Sequence, residues 1–178
     1  MTDYPLEVTT ARLQLRQWRD DDVPALAAIY ADPAVEVQLV PTTLNQTRAQ
    51  VDRFREAWAA GGPSLWAVDE LATGRFIGRI GLNPAPAWEL DPAAVEVGWA
   101  LSREVWGRGY ATEGGRASVA TGFEVLSLDS IISFTRPTNL ASRRVMEKIG
   151  LTFRGEADYK SIPHVWYSLG RDQWARSQ

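Results

Sequence analysis

The stretch WALSREVWGRGYATE, residues 99–113, organises the rest of this chain. It is typical of a strand end, a short turn in which Gly107 and Gly109 flank an arginine, and a helix start. The first N–H groups of a helix have no intrahelical partner, and the aligned peptide dipoles add positive potential at that end. Because glycines also let a ligand approach the backbone closely, the turn predicts a site for a pyrophosphate-bearing ligand.

Composition sets the broad class of the protein. With 178 residues, of which 45% are hydrophobic and 23% charged, the chain is predicted to form a single soluble globular domain over residues 1–178. Its net charge of −3 argues against a general nucleic-acid binder. No apolar run approaches the ~18 residues that cross a bilayer, and the N-terminal segment MTDYPLEVTT lacks the regions of a signal peptide. We therefore expect a cytoplasmic protein without nucleic-acid or membrane partners.

The chain contains no cysteine. This excludes disulfides, thiolate metal ligands and a cysteine nucleophile together. The spacing of the remaining candidate ligands does not match a metal site, so no metal ion is expected.

The first part of the chain predicts a strand and two helices. Residues 12–16 alternate polar and apolar side chains, as a half-buried strand does. Asp21 or Asp22 then caps a helix that has Pro24 in its first turn. A second helix is predicted over residues 47–60, where it ends at two glycines and buries Val51, Phe54 and Trp58.

The middle of the chain changes to the period of strands. Residues 65–70 and 75–83 predict two strands joined by a hairpin turn at 72–74. In the following strand, one face carries Val95, Val97, Trp99 and Leu101. The opposite face carries Ala94, Glu96, Gly98 and Ala100. Because this second face is small apart from one carboxylate, it predicts close approach of a ligand or of another backbone.

After the glycine turn the pattern alternates between helix and strand. A helix over 110–126 carries a small-residue stripe suited to close packing on a sheet, formed by Ala111, Gly115, Val119, Gly122 and Leu126. Residues 131–135 predict a short strand, and Asn139 caps a helix with an inner face of Ala141, Val145, Met146 and Ile149. The last strands are predicted at 151–155 and 165–169. The strand–helix–strand unit after the antiparallel meander should form a right-handed parallel crossover.

Other phosphate-binding or catalytic motifs fit less well. A P-loop needs Lys-Ser or Lys-Thr after the second glycine, where this chain has Tyr110 and Ala111. A dinucleotide-binding turn needs a third glycine where Thr112 stands, and an antiparallel meander does not suit a doubly wound sheet. The only histidine, His164, lies in a predicted strand, and no Gly-x-Ser-x-Gly segment is present, so a Ser–His–Asp hydrolase is not indicated.

Three segments in order resemble those of GNAT-type N-acetyltransferases, most closely the branch that includes the ribosomal-protein N-terminal acetyltransferases (the RimJ/RimL group). They are TTARLQLRQWRDDD (9–22), VEVGWALSREVWGRGYATEGG (95–115) and TNLASRRVMEKIGLTFRGE (138–156). The resemblance implies an α/β (α+β) GNAT fold, with a mixed, mostly antiparallel splayed sheet flanked by helices. It also implies acetyl-CoA as the cosubstrate.

The resemblance assigns roles along the cofactor. The pantetheine arm would lie between the strand ending at Leu101 and the strand 131–135, and the pyrophosphate would rest on 106–111. Arg108 would add a charge-assisted contact or be only a solvated turn residue, and Asn139 would contact the pantetheine arm, cap its helix, or do both. The wider superfamily favours Gln or Arg where this chain has Glu104, which affects the expected side-chain contacts and not the fold. The predicted cofactor-binding residues are Trp99, Ala100, Leu101, Trp106, Gly107, Arg108, Gly109, Tyr110, Ala111, Thr112, Asn139 and Ser142.

The predicted chemistry is direct attack of an amine on the thioester, which is the simplest route without a cysteine nucleophile. Glu96 is the candidate base, acting through water, because it is the one carboxylate on the small face of its strand. The alternative is that Glu96 forms an ion pair with Arg79 of a neighbouring strand. Ser142 matches the position that protonates the departing thiolate in some members of the branch. The alternatives are that Ser142 only serves the helix end, or that Tyr167 is the acid.

The acceptor stays open at this stage. The acceptor could be a protein N-terminus or a small-molecule amine, including an antibiotic amine. A homodimer is also compatible with the sequence. The acceptor cleft is expected in the loops 35–45 and 84–92. One alternative is a non-catalytic acyl-CoA sensor of the same fold. Another is a different acyl-CoA in place of acetyl-CoA, which depth near Trp66, Trp88 and Trp99 would decide.

Overall fold

A computed structural model describes residues 4–37, 39, 42–85, 87–91 and 93–177. Gln38, Val40, Pro41, Pro86 and Pro92 of the two expected acceptor loops therefore lie outside the described residues. The elements in chain order are β1 Val8–Thr9, β2 Leu13–Arg16, α1 Asp22–Tyr30, α2 Pro33–Glu36, α3 Leu44–Ala59, β3 Leu65–Glu70, β4 Arg75–Pro84, β5 Val95–Leu101, a 3-10 turn Arg103–Val105, α4 Tyr110–Glu124, β6 Ser130–Thr135, α5 Leu140–Lys148, β7 Thr152–Tyr159, β8 Ile162–Gly170 and α6 Arg171–Ala175.

The strands form a sheet in the order β1-β2-β3-β4-β5-β6-β8-β7. Every neighbouring pair is antiparallel except β5 and β6, which are parallel and are connected through α4. The expected mixed, mostly antiparallel sheet flanked by helices is confirmed. The parallel pairing expected of the crossover through α4 is present as well.

The sheet opens between its two parallel strands. β5 and β6 are in register at one pair, Glu96 with Ile132, and the Ser133 hydroxyl donates to the Val97 carbonyl at 2.8 Å. The remaining residues of β5, from Gly98 onward, have no register partner in β6 within the described chain. This is the splay that the resemblance implied, and it leaves a gap in the middle of the sheet.

Helix α4 packs on one face of the sheet through glycines. A β-carbon on Gly114 would lie 2.5 Å from Ile80 Cδ1, and one on Gly122 would lie 2.7 Å from Ile131 Cδ1. A β-carbon on Gly115 would lie 3.3 Å from Ile149, which follows α5, and 4.0 Å from Trp99 of β5. Gly122 therefore faces the sheet as predicted, whereas Gly115 lies at the boundary between the sheet and α5. Close contact of backbone with the core offsets the poor helix propensity of three glycines.

A buried charge cluster joins β2, the start of α1 and β3. The Arg16 guanidinium donates to Asp22 at 2.7 Å and to Asp69 at 2.6 Å, and all three side chains are buried. Burial lowers the pKa of Arg16, but its bonds to the two carboxylates outweigh this and raise it. Asp22 also accepts from the Arg19 amide, and Asp21 makes no capping bond, so the expected side-chain cap of α1 was wrong. Losing one member of such a buried cluster costs about 3–5 kcal/mol.

Several boundaries differ from the sequence prediction for local reasons. Helix α3 begins at Leu44 and not at 47, because Thr43 and Gln46 form a capping box. Strands β7 and β8 are longer than expected and meet at a tight turn, where Lys160 and Ser161 have φ of 51° and 61°. Ala141, predicted on the inner face of α5, is exposed. Helix α4 ends at Glu124, two residues before the predicted end.

No helix within the described ranges combines the length and the apolarity needed to cross a bilayer.

Candidate active site

The turn before α4 has the backbone that the two glycines predict. Gly107 has φ of 76° and Gly109 has φ of 83°, both in the left-handed region that other residues enter at a cost. Gly109 is the N-cap of α4, which begins at Tyr110. The turn therefore presents the amides of residues 107–112 at the N-terminus of a helix of 15 residues.

These amides form a row of available donors. The first backbone bond of α4 runs from the Glu113 N–H to the Gly109 carbonyl at 3.0 Å. Within the described chain, the N–H groups of residues 107–112 donate to no backbone or side-chain acceptor. Such a row, with the helix dipole behind it, suits a pyrophosphate.

Arg12, at the start of β2, braces this turn from outside. Its guanidinium donates to the Arg108 carbonyl at 2.8 Å and lies 4.6 Å from the centre of the Tyr110 ring. It also pairs with Glu113 at 2.6 Å, and Glu113 accepts from the Thr10 hydroxyl at 2.6 Å. Burial raises the pKa of Glu113, but the bonds from Thr10 and Arg12 bring it below its ordinary value. Sequence reasoning missed this brace; an acidic residue beside a predicted anion site was the available signal.

The predicted loop residues divide into outward and inward groups. Trp106 is exposed, and its indole N–H donates to the Leu101 carbonyl at 2.9 Å, which closes the turn. Tyr110 is buried, and its hydroxyl donates to Glu70 at 2.6 Å, a bond that is the main cause of the lowered pKa of Glu70. Arg108 lies 3.5 Å from Glu70 and keeps 56% of its side chain exposed. Arg108 is therefore neither fully paired nor purely solvated.

Glu104, where the wider superfamily that the sequence resembles favours Gln or Arg, forms an exposed ion pair with Arg75 at 2.9 Å. An exposed pair of this kind contributes about 0–1 kcal/mol. The departure from the family pattern is therefore accommodated at the surface.

The open edge of β5 directs alternate backbone groups into the gap. The Val97 carbonyl faces β6, since it accepts from Ser133. Successive strand residues point their N–H and C=O groups to opposite neighbours, so those of Trp99 and Leu101 also face the β6 side. The Ala100 carbonyl faces β4, because a β-carbon on Gly78 would lie 2.2 Å from it. The structure thus separates the predicted trio into two residues at the gap and one bonded toward β4.

Glu96 lies on the face opposite α4. The three heavy atoms nearest to a β-carbon placed on Gly98 all belong to the Glu96 carboxyl group, the closest at 3.6 Å. The carboxyl group therefore lies over a glycine, which provides the space expected from the small face of this strand. Burial raises the pKa of Glu96 to about 7, and the charge of Arg79 opposes that rise.

The alternative of a Glu96–Arg79 ion pair does not describe the geometry. The Nε of Arg79 donates to the Tyr30 hydroxyl, and among the described residues no ion pair joins Glu96 to a cation. Arg79 acts on Glu96 at longer range. Glu96 is left as a half-buried carboxyl group with a pKa near neutrality.

The residues predicted at the start of α5 come together at its cap. The Asn139 side chain accepts from the Ser142 amide at 3.1 Å, so the capping role is confirmed. Tyr167, the alternative acid, is buried, and its hydroxyl accepts from Arg143 Nε at 3.1 Å. Its hydroxyl is thus already engaged by α5.

An aromatic cluster borders Glu96 on the side of β6, β7 and β8. Trp88 stacks on Phe134 with ring centres 5.0 Å apart, and Phe134 lies 4.5 Å from Tyr159. Burial, and next the charge of Glu96, raise the pKa of Tyr159. His164 contacts the same rings and its Nδ1 lies 2.7 Å from the Ile162 carbonyl. Trp66 is fully buried against Tyr4, away from this cluster.

Within the part of the chain that the structure describes, no three or more His, Asp or Glu side chains gather as metal ligands would.

Comparison with known proteins identifies relatives over most of the chain. The family model for the "Acetyltransferase (GNAT) domain" matches residues 12–152. The chain is 38% identical over 185 residues to the FsC-acetyl coenzyme A-N(2)-transacetylase of Aspergillus fumigatus, covering 95% of this chain and 78% of that protein. It is 33% identical over 182 residues to the uncharacterized N-acetyltransferase YnaD of Bacillus subtilis, covering 95% and 99%. A crystal structure of an acetyltransferase from Agrobacterium tumefaciens is similar with a TM-score of 0.80 and 30% identity, over 92% and 93% of the two chains.

More distant solved structures share the fold. The ribosomal-protein-S5-alanine acetyltransferase of Vibrio fischeri has a TM-score of 0.76 at 17% identity, over 96% and 99% of the two chains. The aminoglycoside acetyltransferase AAC(6')-Ib, solved with coenzyme A and kanamycin, has a TM-score of 0.77 at 21% identity, over 93% and 98%. At these identities the similarity concerns the fold and not the acceptor. The narrower resemblance to the RimJ/RimL group therefore stays a prediction.

Proposed function

The chain belongs to the GNAT acetyltransferase family and is an acetyl-CoA-dependent acyltransferase, and we propose that it acetylates the primary amine of a small molecule by direct attack, with Glu96 as the base. The non-catalytic alternative is not favoured, since relatives along the whole chain are named as N-acetyltransferases. Transfer of the acetyl group to a nitrogen atom is supported by the relative named FsC-acetyl coenzyme A-N(2)-transacetylase.

The observation that carries the mechanism is the Glu96 carboxyl group, which has a pKa of about 7 and lies over Gly98, beside the gap between β5 and β6. A free alkyl ammonium has a pKa of about 10 and must lose its proton before it can attack. A base whose pKa lies near the working pH is suited to that transfer. Glu96 removes the proton, either directly or through a water molecule.

In this proposal the cofactor is held mainly by backbone groups. The amides of residues 107–112 bind the pyrophosphate, and the pantetheine arm enters the gap between β5 and β6. The N–H groups of Trp99 and Leu101 polarise the thioester carbonyl, and a donor of this kind contributes roughly 3–4 kcal/mol to the transition state. Asn139 caps α5 through its oxygen and keeps its amide nitrogen as a donor for the pantetheine arm.

Ser142 is the proposed acid that protonates the departing thiolate. Its backbone is held by Asn139 at the start of α5, and its side chain is partly exposed. Tyr167 is less suited to the role because its hydroxyl is already engaged within the protein: it accepts from Arg143 at 3.1 Å and directs its own proton to Glu147 at 3.5 Å.

The test is thiol release from acetyl-CoA with a panel of primary amines, for the wild type and Glu96→Gln. We expect kcat of the wild type to rise with pH around 7, and kcat of the variant to fall by about 100-fold and lose that rise. Coenzyme A affinity, measured by calorimetry, should be unchanged. Glu124→Gln, an exposed carboxylate at the far end of α4, is the matched control and should behave as wild type.

Two results would overturn parts of this proposal. Equal rates for Glu96→Gln and wild type would remove Glu96 as the base. Thiol release with none of the amines, although coenzyme A binds, would remove the proposed acceptor class.

A further inference from the structure

We propose that the acceptor is an amino acid-type zwitterion, with its primary amine beside Glu96 and its carboxylate bound by Arg79. The inference rests on the proposed function, because it names the substrate class of that same site. It rests on two opposite charges, Arg79 and Glu96, that lie on one face of the sheet with only glycines between them in the register.

The register of β4 and β5 brings these residues onto one face. Arg79 pairs with Ala100, Gly81 pairs with Gly98, and Asn83 pairs with Glu96. Paired residues point to the same face, so Arg79 and Glu96 lie on one face with the two glycines between them. Neither glycine places a side chain between the two charges, although the Glu96 carboxyl group itself lies over Gly98 and the backbone of Ser64 and Leu65 packs against Gly81. The interval between Glu96 and Arg79 therefore carries no side chain of β4 or β5.

Arg79 is oriented by a relay of hydrogen bonds from two helices. Its Nε donates to the hydroxyl of Tyr30 in α1, and that hydroxyl donates to Gln50 in α3 at 2.9 Å. Arg79 is half-buried, and within the described ranges its two terminal nitrogens donate to no acceptor and are not sealed from solvent. An arginine held at one nitrogen presents its remaining donors in a fixed direction, which suits a carboxylate.

The two charges are separated by more than a contact. Arg79 lowers the pKa of Glu96 against the effect of burial, yet no ion pair joins them among the described residues. A molecule with an ammonium or amine at one end and a carboxylate at the other would pair with Glu96 and with Arg79 at the same time. A protein N-terminus lacks the adjacent carboxylate, and a polyamine would place a second cation toward Arg79.

The experiment compares matched acceptors that differ only in the carboxylate. The common α-amino acids with primary amines, together with β-alanine, are each paired with their carboxamides, and kcat/KM is expressed per neutral amine. Because a charge-assisted hydrogen bond to a carboxylate is lost in the amide, we expect the best free acid to exceed its amide by about 10- to 100-fold. In Arg79→Gln this ratio should fall to about 1, with the KM for acetyl-CoA unchanged. The rate with the amide should shift to higher pH, because the charge of Arg79 no longer opposes the raised pKa of Glu96, and the free acid should lose more than the amide at every pH.

Further variants separate binding from folding. Arg79→Lys should retain part of the preference for the free acid, because it keeps the charge but not the planar fork. Tyr30→Phe keeps the ring and removes the orienting hydroxyl, so it should lower the ratio even if Arg79→Gln does not fold. Arg53→Gln, an exposed residue on α3, is the matched control and should leave the ratio unchanged. Thermal unfolding and coenzyme A affinity report whether each variant is folded.

The outcomes distinguish this inference from the proposed function. If the wild type acetylates the amides as fast as the free acids, or if Arg79→Gln slows both equally, the zwitterion inference is wrong and the acetyltransferase proposal stands. If neither acids nor amides are acetylated but other primary amines are, the inference is again wrong. If no primary amine is acetylated, the proposed acceptor class fails as well.

Discussion

The proposed cofactor end of the site, residues 106–112, and the proposed acceptor end, the face that carries Arg79 and Glu96, are built from different groups. At the cofactor end the donors toward the ligand are backbone amides, and the nearby side chains of Arg12 and Glu113 bind the protein itself. At the acceptor end the groups proposed to bind the ligand are the side chains of Arg79 and Glu96, and the two glycines between them in the register carry no side chain. A backbone site therefore tolerates changes in surrounding side chains better than a side-chain site does. The predictions below test that difference.

The largest effect is expected at Gly78, which lets β4 approach β5 below the acceptor end. A β-carbon there would lie 2.2 Å from the Ala100 carbonyl oxygen and 2.9 Å from Leu101 Cα, both backbone atoms, at a φ of 134°. Gly78→Ala should lower the free energy of unfolding by more than about 3 kcal/mol, since neither strand can yield locally. Urea unfolding measures this. Gly74→Ala, at a φ of 66° in an open turn, is the control and should cost only about 1–2 kcal/mol. Equal losses at both positions would contradict the close-approach explanation.

The second prediction concerns stability and pH at Glu96. Its pKa is about 7 in the folded protein against an ordinary 4.5, so the folded state binds more protons between these values. The free energy of unfolding contributed by Glu96 therefore falls as pH rises from about 4.5 to about 7. Glu96→Gln lacks this loss. Its free energy of unfolding, measured relative to that of the wild type, should therefore increase by up to about 3 kcal/mol between pH 4 and pH 8.

Urea unfolding of both proteins across this pH range measures the gain. Glu124→Gln, at an exposed position, is measured alongside as the control. A constant difference between Glu96→Gln and wild type would show that the carboxyl group is not perturbed.

At the cofactor end, Gly109→Val should impair phosphate binding more than stability. A β-carbon at Gly109 would lie 3.4 Å from the Arg12 guanidinium, so a valine would displace this brace and also distort the left-handed turn that presents the amides. The KM for acetyl-CoA should therefore rise by about 10-fold or more, with a smaller change in kcat. Gly74→Val shares the left-handed φ but lies in the β3–β4 turn, and should leave that KM unchanged. Steady-state kinetics with varied acetyl-CoA decides between them. A lower kcat at unchanged KM in Gly109→Val would place the phosphate elsewhere.

The smallest effect is expected for Arg12→Gln, which removes the external brace of the same turn. Arg12 is 46% exposed, and partly exposed ion pairs contribute about 0–1 kcal/mol, so the KM for acetyl-CoA should rise only about 3-fold, at constant kcat. Arg75→Gln removes an exposed pair with Glu104 and is the matched control. A loss as large as that of Gly109→Val would mean that side chains, and not amides, carry the phosphate.

Much of the fold follows from local patterns in the sequence. The strand at Leu65–Glu70 and the start of α4 at Tyr110 fall where the period and the glycines indicate. The Asn139 cap has the expected bond to the Ser142 amide. These features depend on residues within a few positions of one another, so the sequence contains the information directly.

The contacts that the sequence did not predict depend on residues that are distant along the chain. Gly114 and Gly115 are adjacent, and only the rotation of α4 against the sheet decides that Gly114 meets Ile80 while Gly115 meets Ile149. Asp22 does not cap α1, because its carboxylate instead accepts from Arg16. The other partner of Arg16, Asp69, lies 53 residues further along the chain. In each case a distant partner competes with a local preference and is the stronger interaction.

The sequence by itself determined the glycine turn before α4, because left-handed glycines and a helix start are properties of consecutive residues. Only the tertiary structure decided the acceptor end. Arg79 is oriented by Tyr30, 49 residues away in sequence, and it is brought onto the face of Glu96 by the register of β4 on β5. The physical reason is that a strand pattern specifies which residues share a face of one strand. It does not specify which residue of the neighbouring strand lies beside them.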